Sequence, residues 1–197
     1  TIKKLKIPFL LKIFTILLFF SLKSYAEEYK NNIVLGSYDA IVKIKVFSSY
    51  TCPHCAAFHK EIVSEINKEY VETGKVQIIF IDFPLDQAAF NASKLINCAE
   101  KNKQISLMDI IYDEQNEWAS GSDINQINDN LKKIVKRMGI SSNKFDKCVN
   151  DEEISDVILK ARIDGQQKYS INSTPTIIIN EKKLEGSASF KDIKKKI

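Results

Sequence analysis

Two apolar, β-branched runs flank a helical stretch that opens on a cysteine pair, and this order restricts the fold more than any other feature. Ile41-Val42-Lys43-Ile44-Lys45-Val46-Phe47 alternates in part and reads as a strand. Ser48-Ser49-Tyr50-Thr51 is a short polar break rich in helix-capping residues. From Cys52 onward, Cys55, Phe58, Ile62, Val63, Ile66 and Tyr70 recur at three- and four-residue steps, the spacing of one helix face. Gly74 stands where that helix should stop. Val76-Gln77-Ile78-Ile79-Phe80-Ile81 is a second, nearly continuous apolar strand, which predicts burial on both faces. Strand, helix and strand fit within about 45 residues, the size of a βαβ unit.

Residues 27–38 are polar and read as an irregular lead-in. Pro84 ends the second strand, and residues 86–168 then read almost entirely as helix. Residues 88–99 and 105–112 form two apolar-faced segments. Asp123 caps a third that ends at Gly139, Ser141 and Ser142 start a fourth, and Asp151 caps a fifth that runs to Tyr169. β character returns in Thr176-Ile177-Ile178-Ile179. Asn180-Glu181 reads as a hairpin turn, and Lys182 to Glu185 as a short partner strand. Gly186 breaks it, and Phe190 to Ile197 reads as a closing helix. The prediction is an α/β domain from 27–85 and 169–197, split by a helical insertion over 86–168 whose last helix returns to the sheet.

Residues 1–26 differ from the rest. Lys3, Lys4 and Lys6 precede an apolar stretch, and Ser24-Tyr25-Ala26 places small residues where a signal peptidase reads. This is the build of a secretory signal peptide, and the apolar run is shorter than the roughly 20 residues of a spanning helix. Export is therefore expected, with a membrane anchor as the outcome if the segment stays uncleaved. The segment holds five of the 29 basic residues and no acid, so the remainder carries 24 basic against 25 acidic residues. The apparent basicity belongs to the export signal and gives no argument for nucleic acid. Four cysteines remain, Cys52, Cys55, Cys98 and Cys148, in a chain expected where disulfides persist.

The chemistry centres on Cys52-Pro53-His54-Cys55, directly after a strand and at the start of a helix. A helix N-terminus offers unpaired N–H groups and the positive end of the macrodipole to a Cys52 thiolate. Pro53 suits the first helical position because it has no N–H to leave unpaired. His54 adds a donor close to the sulfur. Cys55 lies one turn on, facing inward, within reach of Cys52 for a disulfide. Stabilising the reduced form in this way makes the disulfide oxidising. A zinc site is argued against by ligand number: it takes about four ligands, and Cys98 and Cys148 form no second close pair. A purely structural bridge over so small a loop would restrain the unfolded chain little.

Ser173-Thr174-Pro175-Thr176 places a proline immediately before a strand. An ordinary trans proline starting a strand is one reading. The other is a cis bond that presents the backbone of Thr174 to the cysteine pair, ready to bind an extended substrate segment. With Cys52-Pro53-His54-Cys55, the Thr174-Pro175 pair and the helical insertion between them, residues 30–197 resemble the DsbA family of bacterial periplasmic thiol oxidases. The resemblance implies a thioredoxin fold with an inserted helical domain. It also implies an oxidant of newly exported proteins with free cysteines, reoxidised by a quinone-linked membrane protein of the DsbB type, with no cofactor or metal of its own. Two departures stand out. Val46 occupies the strand position, six residues before the first cysteine, where many members carry a buried acid. Thr174 stands where many carry valine. Cys98 and Cys148 either pair as a second, structural disulfide, as in some alphaproteobacterial DsbA-like proteins, or remain two buried thiols.

His59 reads as packed or solvated, without a role. Trp118 and Tyr112 read as core or groove residues, and Phe47, Tyr50 and Phe83 as core or the rim of an apolar groove. Alternatives to a dithiol oxidase are a disulfide isomerase or reductase and a non-catalytic, chaperone-like peptide binder.

Overall fold

The computed structural model describes residues 32–186 and 188–197, so the expected signal peptide lies outside the described residues. Among the described residues, no helix is long and apolar enough to cross a membrane.

The strands are β1 (Ile33–Leu35), β2 (Val42–Ser48), β3 (Val76–Asp82), β4 (Thr176–Ile179) and β5 (Lys182–Lys183), in the sheet order β1-β3-β2-β4-β5. β2 and β3 run parallel from Val42 opposite Val76 to Ser48 opposite Asp82. That register requires the crossover helix between them. β4 pairs antiparallel to the other edge of β2, with Val46 opposite Ile177. β3 is buried over all but its last residue, as its continuous apolar run predicts. The lead-in is not wholly irregular: Ile33–Leu35 pairs antiparallel with β3. Three residues leave almost no period to read, and this strand forms because β3 offers it an open edge.

The crossover helix α1 covers residues 53–71 and widens to π winding over Phe58–Val63 and Asn67–Val71. At its end the Asn67 carbonyl accepts from the Glu72 N–H, five residues on, at 3.0 Å. Gly74 follows with φ +75°. Between β3 and β4 run α2 (Gln87–Cys98), α3 (Lys101–Asp113), α4 (Gln115–Trp118), α5 (Ile124–Arg137), α6 (Ser142–Val149) and α7 (Glu152–Tyr169). Asp123, Ser141 and Asp151 cap α5, α6 and α7 through side-chain oxygens that accept first-turn N–H groups. The short α4 was not expected. It carries Trp118 into the core of the insertion, where the indole Nε1–H donates to the Ile111 carbonyl at 2.8 Å. Cys98 and Cys148 are bonded, tying the end of α2 to α6. Their separation of 50 residues gives a loop constraint of about 4 kcal/mol in the chain-entropy account.

α7 lies against the sheet through Gly165, which lets the helix meet the Phe47 ring. Below it, Lys45 is buried on β2 and pairs with Glu181 at 2.7 Å, while its ammonium donates to the Tyr169 hydroxyl at 3.1 Å. Glu181 sits in the β4–β5 turn, where Asn180 and Glu181 both have positive φ, 46° and 67°. The turn matches the hairpin reading, but β5 ends at Lys183. The closing helix α8 covers only Phe190–Lys194.

Candidate active site

β2 delivers the chain into the Ser49–Thr51 break, and Cys52 caps α1. Its backbone is extended, and its Sγ accepts from the Cys55 N–H at 3.4 Å. The Cys52 carbonyl also accepts from the N–H groups of Cys55 and Ala56, at 3.0 and 3.2 Å. Pro53 and His54 form the exposed first turn. Cys52 retains 8% of its surface and Cys55 1%. Both are free thiols. Burial pushes the Cys55 thiol up to about 12. The Thr174 hydroxyl beside it works in the opposite direction, though it completes no well-formed hydrogen bond.

The Thr174–Pro175 peptide is cis, and the Thr174 carbonyl faces the cysteine pair. It accepts from the Cys52 thiol at 3.4 Å. The structure thus brings Cys52, Pro53, His54, Cys55, Thr174 and Pro175 to one end of the sheet. Cys98 and Cys148 stand apart from it, within the helical insertion.

Gln115, Thr51 and Asp82 had no reading as site residues, whereas Tyr50, Phe47 and Phe83 were open between core and groove rim. Gln115, the first residue of α4, is buried, and its Nε2 donates to the carbonyls of Tyr50 and Cys52 at 2.8 and 3.1 Å. Thr51 Oγ1 donates to Asp86 Oδ2 at 2.6 Å, a second link between the cysteine loop and the insertion. Tyr50 is buried, not part of a groove rim. Its ring lies 4.9 Å from that of Tyr112, and the Tyr112 ring lies 4.9 Å from that of His59. His59 is packed and pairs with Asp109 at 2.7 Å. Phe47 and Phe83 are core residues. Asp82, at the end of β3, accepts from Ser93 Oγ at 2.8 Å and from Asn97 Nδ2 at 2.7 Å. Burial raises its pKa, and these two donors partly offset that. A polar residue closing an apolar run was the signal that could have drawn attention to it. Nothing in the local pattern marks Gln115.

A profile described as Thioredoxin matches residues 28–197. The chain belongs to the thioredoxin family. Its fold is similar to the crystal structure of Wolbachia pipientis alpha-DsbA1, with TM-score 0.74 and 26% identity over 84% of this chain and 88% of that one. Disulfide bond formation protein D of Bacillus subtilis is 26% identical over 176 residues, 85% of this chain and 76% of the relative. A Rickettsia bellii protein, provisionally named a protein-disulfide oxidoreductase, is 26% identical over 77% of this chain. The chain spans only 58% of that protein and 53% of its Rickettsia conorii counterpart, so it covers little more than half the length of these curated relatives. These likenesses place it among DsbA-like proteins of thioredoxin fold.

Proposed function

We propose that this protein is a thiol:disulfide oxidoreductase that donates a Cys52–Cys55 disulfide to newly exported proteins through a mixed disulfide at Cys52. One observation carries the reading. The Cys52 sulfur sits at the mouth of α1, receives a backbone N–H from Cys55, and faces the Thr174 carbonyl ahead of Pro175. An N–H aimed at sulfur favours the anion that leaves when a client thiol resolves the mixed disulfide. Burial of Cys55 directs client thiols to Cys52. The exposed Pro53-His54 turn and the Thr174-Pro175 backbone form the surface that a client segment meets. The division into 27–85, 86–168 and 169–197, a signal peptide over 1–26, and periplasmic work with reoxidation by a quinone-linked DsbB-type membrane protein complete the proposal. Cys98–Cys148 serves it as a structural bridge.

The test is trapping. With Cys55→Ser, a one-cysteine client peptide activated as a mixed disulfide should lose its activating thiol to Cys52 and remain covalently attached there. With Cys52→Ser it should not. The oxidised wild-type protein should convert a reduced two-cysteine peptide to its disulfide stoichiometrically, its own Cys52–Cys55 bond being reduced. Attachment at Cys55, or no transfer from the oxidised protein, refutes the proposal.

A further inference from the structure

Gln115 is 6% exposed, and its side-chain amide reaches across to the loop that carries Cys52. Nε2 donates to the Tyr50 carbonyl at 2.8 Å and to the Cys52 carbonyl at 3.1 Å. The two acceptors stand on either side of Thr51, so a single NH2 group grips the loop at two points. An amide nitrogen has two hydrogens to donate, and both are committed here. The support behind it is firm. α4 starts at Gln115 and ends at Trp118, which is fully buried and whose Nε1–H donates to the Ile111 carbonyl at 2.8 Å. Glu114, one residue before Gln115, pairs with Arg137 at the end of α5.

The loop conformation under that grip is the one the sulfur needs. Cys52 is extended, with φ −81° and ψ 116°, and in this non-helical shape its Sγ turns back to accept from the Cys55 N–H at 3.4 Å. The Cys52 N–H in turn donates to the Ser49 carbonyl at 3.1 Å. Cys55 is closed off from solvent and pushed up to about 12 by that burial, so the charge of a reduced pair falls on Cys52. Rotating the peptide planes of Tyr50 or Cys52 swings that sulfur away from the helix N-terminus, whose favourable field is confined to the first turn. The oxidised protein differs in two respects. The Cys52–Cys55 bond itself ties Cys52 to α1, and the sulfur carries no charge. The grip of Gln115 is therefore worth more in the reduced protein than in the oxidised one.

We infer that Gln115 is a positioning residue for the exchange reaction: by fixing the backbone from Tyr50 to Cys52 it stabilises the reduced pair selectively. The inference rests on the redox reading of Cys52 and Cys55. In the overall reaction two client thiols and the Cys52–Cys55 disulfide become a client disulfide and two protein thiols. Two electrons pass to the protein with the two thiol protons, and the proton due to Cys52 goes to solvent when that sulfur is an anion. Gln115 exchanges no proton and forms no bond in these steps. It acts through the loop, and a favoured reduced form makes the disulfide a stronger oxidant. The potential of the pair is thus set in part from the helical insertion, by a residue more than sixty positions away in sequence.

The experiment equilibrates the full chain with glutathione and its disulfide near neutral pH, at ratios that leave Cys98–Cys148 bonded. Alkylation and peptide mass read the state of Cys52 and Cys55 in wild type, Gln115→Met and Gln115→Glu. Methionine keeps the length of the side chain and offers no donor. In Gln115→Met the equilibrium constant for reducing the Cys52–Cys55 bond should fall about tenfold, the smaller end of what one hydrogen bond to a charged group contributes. That reads as a potential lower by about 30 mV. Urea unfolding of the two redox forms gives the same quantity independently: the reduced protein should lose more stability than the oxidised one. A purely structural amide would weaken both forms alike and leave the potential unchanged, and that result overturns the inference. Gln115→Glu also keeps the length and, when ionised, has no donor. Its potential should fall at least as far, and a value equal to wild type overturns the inference even if Gln115→Met does not fold. If the wild-type pair does not exchange with glutathione at all, the proposed function itself falls, an outcome distinct from variants that match wild type.

Discussion

Replacing Gly165 with alanine sets two effects of opposite sign against each other. Inside α7 the substitution gains about 1 kcal/mol of helix propensity. Against that, a Cβ at this position would stand 2.5 Å from Cε1 and 3.0 Å from Cδ1 of Phe47. Carbon atoms pack at about 3.5–4 Å, so the ring or the helix must retreat by about 1 Å. Neither has room. Phe47 is 2% exposed, its ring meets Tyr169 edge-on at 5.8 Å, and its strand is paired on both edges. Overpacking of this kind costs about 1–3 kcal/mol, and the depth of the overlap puts this case in the upper part of that range. The net expectation is a loss of about 1–2 kcal/mol. At about 2–4 °C per kcal/mol for a chain of this size, the Tm should fall by about 2–8 °C. Thermal and urea unfolding followed by circular dichroism check this. An unchanged or raised Tm would show that α7 can slide and that its approach to β2 is not set by the missing side chain.

Gln115→Ala should destabilise by about 1–3 kcal/mol, the cost of stranding a buried acceptor. Most of it should fall on the Tyr50 carbonyl, because the Cys52 carbonyl keeps two N–H donors. Amide exchange over residues 49–52 should rise, and exchange unchanged there would refute the role. Glu181 is held at about 2: burial would raise it, but hydrogen bonds from Lys168, Lys45 and Tyr169 outweigh that. A carboxyl depressed in the folded state stabilises above its unfolded pKa and loses that contribution as the pH falls from about 5 towards 2. The stability of Glu181→Gln measured by urea titration should therefore change less over this window than wild type, and parallel curves would refute it. Cys55, pushed up to about 12, should be about one part in ten thousand thiolate at pH 8. Alkylation of the reduced protein should leave it unlabelled there, with rates rising about tenfold per pH unit. Ordinary thiol reactivity at Cys55 below pH 9 would contradict its burial.

The parts that could be read from the chain are those with a period or a punctuating residue. β2, α1 and β3 follow from Ile41 to Ile81 because alternation, three- and four-residue spacing and Gly74 each carry a local cause. The caps of α5, α6 and α7 fall at Asp123, Ser141 and Asp151 for the same reason. The cysteine pair and Thr174-Pro175 were marked by their residue types. What could not be read depends on partners far away in sequence. β1 exists because β3 presents an edge, and α4 because Trp118 and Gln115 have buried positions to fill. Tyr50 reads as either core or groove rim until Tyr112, more than sixty positions on, is seen to cover it.

Among the links between the helical block and the cysteine loop, the Gln115 amide is the one that serves two loop carbonyls at once. Gln115 belongs to the helical block, yet both carbonyls it serves belong to the loop that presents the cysteines. The block therefore cannot be trimmed away as a decoration. A shortened chain built from the sheet and α1 alone would expose the loop's oxygens to water and free the reactive turn to wander. Anyone seeking a smaller redox scaffold from this sequence would first have to supply another donor at that spot.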